Sequence, residues 1–329
     1  MKTGNVKLMI AFSVFFVAVS TVIALTIGTA NISIADVISA LFGFANETDT
    51  IIVRQLRLPR IIAAILVGAN LALAGCGLQS IFRNPLAEPS ITGVSAGASL
   101  GAVVAIMFLP CNFAIETLSF LFALIASVAV CYTGRENGKV NPTSTVLAGV
   151  AINAICAAGV GLFMYTARES GLKSFVFWSL GSFDKCSWQA IALSASISIP
   201  AWLIMLSQYK NLNVMLLGDR QAFDVGVNVR KTQILVVLSA VAMTSASVAM
   251  CGTIAFVGLM IPHIARIVCG AGNGKVMPIS ILLGAGLCVC ADMISRYVSA
   301  ENPVPIGVIT SILGAPFFIF IIRKGKGNA

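Results

Sequence analysis

Long apolar runs dominate this sequence and restrict the folds that it can adopt. Of its 329 residues, 58% are hydrophobic and 10% are charged, whereas a soluble domain carries about 25% charged residues. Several runs approach or exceed the roughly 20 residues that an α-helix needs to cross a bilayer. Because backbone polar groups in lipid must be hydrogen-bonded within the protein, such runs form helices. The pattern therefore predicts an all-α polytopic membrane protein.

The runs divide the chain into about ten transmembrane helices. Ten is an even number, so both termini lie on the same side of the membrane. Placing the termini in the cytoplasm puts most of the 21 lysine and arginine residues in inner segments, as the positive-inside rule requires. The net charge of +9 is thus a topology signal and not a sign of nucleic-acid binding. We predict the spans at 8–28, 61–81, 93–110, 114–133, 144–167, 189–207, 233–251, 253–269, 277–298 and 306–322.

The first apolar run, Leu8 to Ile27, follows two lysines. A cleaved signal peptide is the alternative interpretation, but the run is long and lacks a clear cleavage site of small residues. We interpret it as the first retained span. The chain is then expected to form one transmembrane domain over residues 1–329.

The sequence offers little material for metal or nucleotide chemistry. Its nine cysteines form no CxxC pair, and most lie inside apolar runs, where free cysteine packs as a small apolar residue. His263 is the only histidine, which excludes a multi-histidine metal site. Residues 134–139 and 270–275 lack the full G-x-x-x-x-G-K-[ST] phosphate loop. We expect this chain to bind no metal and no cofactor, and any ATP-Mg to bind on a separate subunit.

Residues 57–98 combine features that a plain membrane anchor does not need. Arg57 and Arg60 flank a proline at the mouth of the second span. A polar turn over residues 83–87 follows that span, and the chain then re-enters the membrane through closely spaced glycines. The motif residues that follow the arginines are Gln79, Asn84, Pro85, Gly93 and Gly97.

The segment 212–233, between the sixth and seventh spans, carries too many charges to lie in the membrane. Gly218 and Gly226 divide it into two short helical pieces, and its apolar residues can form one face. Such an amphipathic unit suits a groove in another protein. A solvated loop that merely links two spans is the alternative.

The last third of the chain contains further charged and proline-bearing motifs within apolar surroundings. Pro262 and His263 precede Arg266, which indicates a helix end near a membrane surface. Asp292 and Arg296 stand four residues apart, so they can face each other on one helix. A charge near the bilayer centre costs about 2.5–3.5 kcal/mol on insertion scales, so we interpret Asp292 as part of a structural pair.

Together these segments resemble the FecCD-type permease family of ABC importers for iron–siderophores, haem and cobalamin. The resemblance follows the order of the motifs through most of the chain. It implies the architecture of a type II ABC importer permease in a bacterial inner membrane, with no enzymatic activity of its own. The partners that it implies are a second permease copy or a paralogue, two ATP-binding subunits that hydrolyse ATP, a substrate-binding protein and membrane lipid.

The resemblance also implies roles for individual residues. Arginines at the outer mouth would dock the substrate-binding protein, a coupling loop over about 210–231 would sit on the ATP-binding subunit, and the fifth span would line the pathway through Asn153. The implied docking residues are Arg57, Arg60 and Arg296. The implied coupling residues are Leu217, Gly218, Asp219, Ala222, Gly226, Val227 and Asn228. The structural or gating motif residues are Gln79, Asn84, Pro85, Gly93, Gly97, Pro262, His263 and Arg266.

Two positions depart from the family pattern, and both are interpreted as loop changes. Pro303 stands where the family often has an acid, with Glu301 two residues earlier. Gly272 and Asn273 stand where it often has Asp-His.

Two other function classes compete with this interpretation. An ion-coupled secondary transporter usually carries an ionisable residue at mid-membrane, and the sequence shows no well-centred acid. An intramembrane enzyme needs a nucleophile with a base or clustered metal ligands. The sequence does not choose between the possible chelates, or between a homodimer and a heterodimer.

Overall fold

A computed structural model describes residues 6–28, 32–109, 111–136, 139–299 and 303–326. Its described part is almost entirely helical, with one two-residue antiparallel hairpin, β1 (Arg135–Glu136) and β2 (Lys139–Val140). The helices of the first half are α1 (Val6–Thr26), α2 (Ile34–Phe42), α3 (Glu47–Ile51), α4 (Leu58–Ile81), α5 (Val94–Phe108), α6 (Asn112–Thr133) and α7 (Pro142–Thr166). Those of the second half are α8 (Glu169–Ser179), α9 (Trp188–Ser207), α10 (Tyr209–Met215), α11 (Asp219–Asp224), α12 (Val229–Cys251), α13 (Val257–Cys269), α14 (Asn273–Val298) and α15 (Ile306–Lys326).

The predicted spans coincide with apolar helices of the structure. Among the described residues, seven helices are long and apolar enough to cross a membrane, with α3, the π-helical turn 52–57 and α4 counted as one. The shorter apolar helices α5, α13 and α15 occupy the other three predicted positions. The architecture of an all-α polytopic membrane protein is therefore confirmed.

Polar side chains mark where several spans begin. Asn141 accepts hydrogen bonds from two backbone N–H groups of the first turn of α7, and Pro142 occupies the position after it. Ser187 caps α9, and Asn228 caps α12. Each oxygen satisfies a backbone donor that has no partner inside its helix.

Helix α4 lies at the centre of the molecule and packs against α12, α13 and α14. Two glycine pairs allow this close approach. A Cβ on Gly68 would collide with the carbonyl of Gly284, and a Cβ on Gly75 would collide with the carbonyl of Gly258. Small residues let helix backbones approach closely. The resulting packing favours association of the helices, since lipid offers no hydrophobic driving force between them. Gly68 and Gly75 therefore let α4 lie directly against the backbones of α14 and α13.

One span is shorter than predicted. The prediction began the eighth span at residue 253, but α13 begins at Val257. The chain leaves α12 through Gly252 at φ 76° and enters α13 through Phe256 at φ 67°. Left-handed backbone conformations interrupt a right-handed helix, so residues 252–256 remain irregular.

The sequence analysis missed three helical elements that lie beyond the predicted bounds of the spans. They are α2, the α3 segment with its π-helical continuation, and α8. With the ten predicted spans taken as crossings, all three lie on the same side of the membrane. We call it the outer side, because the termini are predicted to be cytoplasmic. The opposite side, which holds α10, α11 and the exposed residues 83–86 that follow α4, is called the inner side.

Candidate functional site

Five charged side chains meet on the outer side, where α4 begins and α14 ends. We call them the outer cluster: Arg57, Arg60, Asp184, Asp292 and Arg296. Arg60 Nε donates to Asp292 Oδ1 at 2.6 Å, and Arg60 Nη1 forms an ion pair with Asp184. Arg296 Nε lies 3.1 Å from Asp292 Oδ2, which confirms the predicted pairing of these two residues. Asp292 therefore joins α4 to α14.

Two arginines of the outer cluster also hold the end of α1. Arg57 Nη1 donates to the Leu25 carbonyl at 2.5 Å, and Arg296 Nη1 donates to the Ile27 carbonyl at 2.8 Å. The last carbonyls of a helix have no partner within the helix and carry partial negative charge. Both guanidinium groups thus satisfy carbonyls at the end of α1 and bind this helix to the outer ends of α4 and α14.

The arginines predicted to dock a partner are brought together, but they are not open to solvent. Arg57 is 5% exposed and Arg60 is 8% exposed. Only Asp184, in the loop between α8 and α9, has a half-exposed side chain, at 51%. A buried guanidinium needs nearby acceptors because an unpaired buried charge is costly. The docking role itself stays a prediction.

The predicted coupling loop forms two short helices, α10 and α11, as its glycines indicated. Ala222 is fully buried against Met215 and Val229. Gly218 precedes α11 at φ 128°, a conformation that other residues rarely adopt. The small hydrophobic centre fixes how α11 lies on α10 and on the start of α12.

Three apolar side chains of this unit are exposed to solvent. We call them the coupling surface: Leu217, Phe223 and Val225, which are 73%, 70% and 68% exposed. Behind it, Gly226 turns the chain at φ 86°, and the Val227 N–H donates to the Ala222 carbonyl at 2.9 Å. The Asn228 side chain then accepts from the Lys231 N–H at 2.9 Å and starts α12.

The coupling unit is attached to the polar turn after α4, which we call the 82–88 turn. Arg83 Nη2 lies 2.5 Å from Asp219 Oδ1 at the first residue of α11. Arg83 has a positive φ of 48°. Asn84 Oδ1 accepts from the Leu86 N–H at 2.9 Å, a local turn made by an Asn side chain, and Pro85 is exposed at its tip. The ion pair of Arg83 and Asp219 thus links the 82–88 turn to the coupling loop. The family resemblance had identified these two segments separately.

Gln79 and Arg266 form a second polar network at the inner end of α4. Arg266 Nη1 donates to Gln79 Oε1, and Gln79 Nε2 donates to the Leu259 carbonyl at 3.1 Å. Ser80 Oγ donates to Asn273 Oδ1 at 2.9 Å. The interpretation of Asn273 as a loop position was wrong. It is the first residue of α14 and fully buried, because its amide group bonds across to α4.

The remaining motif residues shape helix contacts. Pro262 is buried inside α13, and the neighbouring His263 ring lies 6.2 Å from the ring of Phe317 on α15. Gly93 starts α5 at φ 80°, and a Cβ on Gly97 would lie 2.5 Å from the Phe122 carbonyl of α6. These positions therefore fit structural roles in helix packing. Glu301 lies outside the described residues.

Glu88, at the end of the 82–88 turn, was not identified from the sequence. Its Oε1 accepts from the backbone N–H of Phe256 at 3.2 Å, so it joins the turn to the start of α13. Burial raises the pKa of this carboxyl above its ordinary value, while the hydrogen bonds from Phe256 and Ser90 lower it. Burial is the largest cause, so the net direction is upward.

The predicted pathway helix, α7, lies at the edge of the described structure and exposes much of its length. Asn153 is partly buried, and its Oδ1 has no hydrogen-bond partner within the described ranges. The large exposed side chains of α7 include Leu147, Val150, Ile155 and Leu162. This helix therefore offers a weakly polar surface to whatever lies beside it.

Comparison with known proteins identifies the family. The model of the FecCD transport family matches residues 16–324, nearly the whole chain. The chain belongs to the FecCD transport family. As a FecCD protein, it is a permease subunit of an ABC transporter, a multi-pass protein of the inner membrane that works in a complex with partner subunits.

Several FecCD relatives match over most of their length. The haemin transport permease HmuU of Yersinia pestis is 36% identical, with 83% of each chain covered. The Fe(3+)-citrate import permease YfmD of Bacillus subtilis is 36% identical, with 92% of this chain and 90% of that protein covered. The cobalamin import permease BtuC of Halobacterium salinarum is 36% identical, with 86% and 76% covered.

The fold of this FecCD chain also matches a solved structure. A proposed metal-chelate type ABC transporter in an inward-facing conformation superposes with a TM-score of 0.87. The two chains are 30% identical, and the match covers 96% of this chain and 98% of the other. The structural similarity therefore extends through almost the whole chain.

Sequence reasoning on this FecCD chain did not identify Asp184 or Glu88, and it did not pair Arg83 with Asp219. Asp184 lies 124 residues from Arg60, and Glu88 lies 168 residues from Phe256, so no local spacing shows either contact. The available signal was weaker: an acid in a short segment between two spans. Such an acid is expensive near lipid and needs a partner.

Proposed function

We propose that this chain is the membrane subunit of an ATP-driven importer that moves an iron complex, as a ferric siderophore or haem, or cobalamin into the cytoplasm. The observation that carries the proposal is the coupling surface. Three large apolar side chains stand exposed on a charged segment outside the spans. An exposed apolar patch with a polar rim is typical of a protein interaction site.

The cargo class follows from the relatives. Proteins 36% identical to this chain are named for haemin, ferric citrate and cobalamin. These compounds are large chelates that need a wide and weakly polar route. The exposed, mostly apolar α7 fits such a route, with Asn153 as one of its few polar groups.

The energy source is a partner. The sequence has no complete phosphate loop, so we infer that two ATP-binding subunits bind ATP-Mg and receive α10 and α11 in their clefts. Motion of these subunits would then pass through Arg83 and Asp219 to the 82–88 turn. In this arrangement both termini face the cytoplasm, which agrees with the excess of basic residues in the inner segments.

The outer cluster would receive the substrate-binding protein. Acidic residues of that protein would bind Arg57, Arg60 and Arg296 by charge complementarity, which favours specific encounter. A second permease copy or a paralogue would close the pathway against α7.

An uptake assay tests the proposal. A deletion strain is supplied with radiolabelled ferric siderophores, haem and cobalamin, with and without the wild-type gene. The informative variant is Leu217→Glu, which puts a charge into the coupling surface. Ile34→Glu is the matched control, because Ile34 is 58% exposed on α2, on the outer side.

The proposal predicts that one labelled compound enters only when the gene is present. Leu217→Glu should abolish that uptake at unchanged membrane expression, and Ile34→Glu should retain it. Unchanged uptake of every compound in the deletion strain, or full uptake by Leu217→Glu, would contradict the proposal.

A further inference from the structure

Asp184 has the most exposed side chain of the outer cluster. Arg60 Nε is directed at the buried Asp292, whose side chain is 1% exposed. Arg60 Nη1 is directed at Asp184, whose side chain is 51% exposed and lies in a loop. The Arg60 side chain itself is 9% exposed. A carboxylate arriving from outside would therefore compete with Asp184 for Arg60 Nη1.

We propose that Asp184 is an exchangeable internal ligand of Arg60, displaced when an acidic side chain of the substrate-binding protein docks. The inference rests on the proposed function and adds a residue that competes with the partner. Asp292 is too buried to leave Arg60, whereas Asp184 can move into water at little cost. The half-exposed Asp184 carboxylate keeps part of its hydration, so a better-placed carboxylate can replace it at Arg60.

The loop that carries Asp184 is fastened to two other outer segments. The Ile306 N–H donates to the Gly181 carbonyl at 2.9 Å, and the Ser182 N–H donates to the Cys251 carbonyl at 2.8 Å. Thr253 Oγ1 donates to the Ser179 carbonyl at 2.5 Å. Residues 179–182 are thus joined to the end of α12 and the start of α15.

Glycines make this junction tight. A Cβ on Gly181 would lie 2.5 Å from the Thr253 carbonyl, and one on Gly307 would lie 2.6 Å from the Leu180 carbonyl. Backbone segments in such contact move together, because packed groups transmit strain. Release of Asp184 therefore provides a route by which docking of the binding protein is transmitted to α12 and α15.

The test measures docking on the complete transporter in lipid nanodiscs. The probe is the purified substrate-binding protein that supports uptake by the wild type in the assay above, and its Kd is measured by surface binding. Asp184→Asn removes the competing charge. Asp184→Glu keeps the charge, and Glu169→Gln removes an outer acid that pairs only with Lys173 among the ion pairs of the described residues.

Asp184→Asn is expected to lower the Kd by about fivefold, which corresponds to about 1 kcal/mol, with an unchanged melting temperature. Asp184→Glu and Glu169→Gln should keep the wild-type Kd. A fluorophore on Lys185→Cys should change its emission when the binding protein docks on the wild type. In the Asp184→Asn variant most of that emission change should already be present before the binding protein docks.

An unchanged or raised Kd for Asp184→Asn would overturn the inference and assign Asp184 a structural role. The same holds if Glu169→Gln lowers the Kd equally, because the effect would then be one of overall charge. Failure of the wild type to bind any binding protein would instead contradict the proposed function. In that case the emission of the Lys185→Cys label still tests whether Asp184→Asn frees the loop.

Discussion

Arg83 and Asp219 join the 82–88 turn to α11 through an ion pair of 2.5 Å across 136 residues of sequence. Both side chains are partly exposed, at 38% and 33%, so the pair adds little stability. Its position matters more, because it connects the segment beside the coupling surface to the segment that carries Glu88. We regard this pair as the mechanical link between the partner subunits and the permease helices.

Charge reversal tests the link. Asp219→Arg should place two cations together and uncouple ATP hydrolysis from uptake, with uptake reduced at least about tenfold if the link is required. The double variant Arg83→Asp with Asp219→Arg should restore most of the uptake. ATP hydrolysis and uptake are measured on the same reconstituted transporter. Equal loss in the single and double variants would contradict the link.

The glycine contact between α4 and α14 predicts a stability effect. Gly284→Ala should destabilise the protein by about 2–3 kcal/mol, since overpacking costs about 1–3 kcal/mol and backbone cannot move aside as a side chain does. Gly171→Ala on α8 is the control, because its nearest atom to a new Cβ lies 4.0 Å away. Thermal unfolding in detergent compares the two. Equal melting temperatures would show that the helices can separate without cost.

The outer cluster predicts a larger effect. Asp292→Asn removes the carboxylate that faces two buried arginines, and leaving buried charge uncompensated costs about 3–5 kcal/mol. Glu169→Gln breaks an exposed pair with Lys173 and should change stability little. Thermal unfolding and membrane expression report both variants. A stable Asp292→Asn protein would mean that water or lipid headgroups reach the arginines.

The raised pKa of Glu88 predicts that the stability of the folded protein depends on pH. Burial raises the pKa of this carboxyl in the folded protein above its ordinary value of 4.5. The folded state then binds more protons than the unfolded state, so this group lowers stability as pH rises from about 4.5 through the folded pKa. Glu88→Gln keeps an acceptor for the Phe256 N–H but removes the charge.

The variant should therefore melt at a higher temperature than the wild type at about pH 8, and the difference should shrink toward about pH 5. Thermal unfolding across this range is the measurement. A difference that is constant with pH would show that Glu88 does not titrate on unfolding.

The sequence predicted the spans well and the contacts between them poorly. Apolar runs such as 61–81 and 114–133 coincide closely with α4 and α6, because lipid forces each run to satisfy its own backbone. The outer helices α2 and α8 were missed because they are short and carry charges. Their stability comes from packing, which a single segment does not reveal.

In the candidate site, too, local features were predicted well and contacts between distant segments were not. The two glycines of the coupling loop predicted its two short helices, since left-handed turns need glycine. The burial of Arg57 and Arg60 was not predicted, because their acceptors come from α1, α14 and the α8–α9 loop. Spacing along one helix does reveal a partner four residues away, which is why Asp292 and Arg296 were paired correctly.

The most direct test of the account is the energy source of uptake. The permease with its ATP-binding subunits is reconstituted into liposomes, and entry of the labelled chelate is measured with the binding protein outside and ATP inside. The account predicts uptake that requires internal hydrolysable ATP, persists with a proton ionophore and is lost in Leu217→Glu. Uptake driven by a proton or sodium gradient without ATP would contradict it.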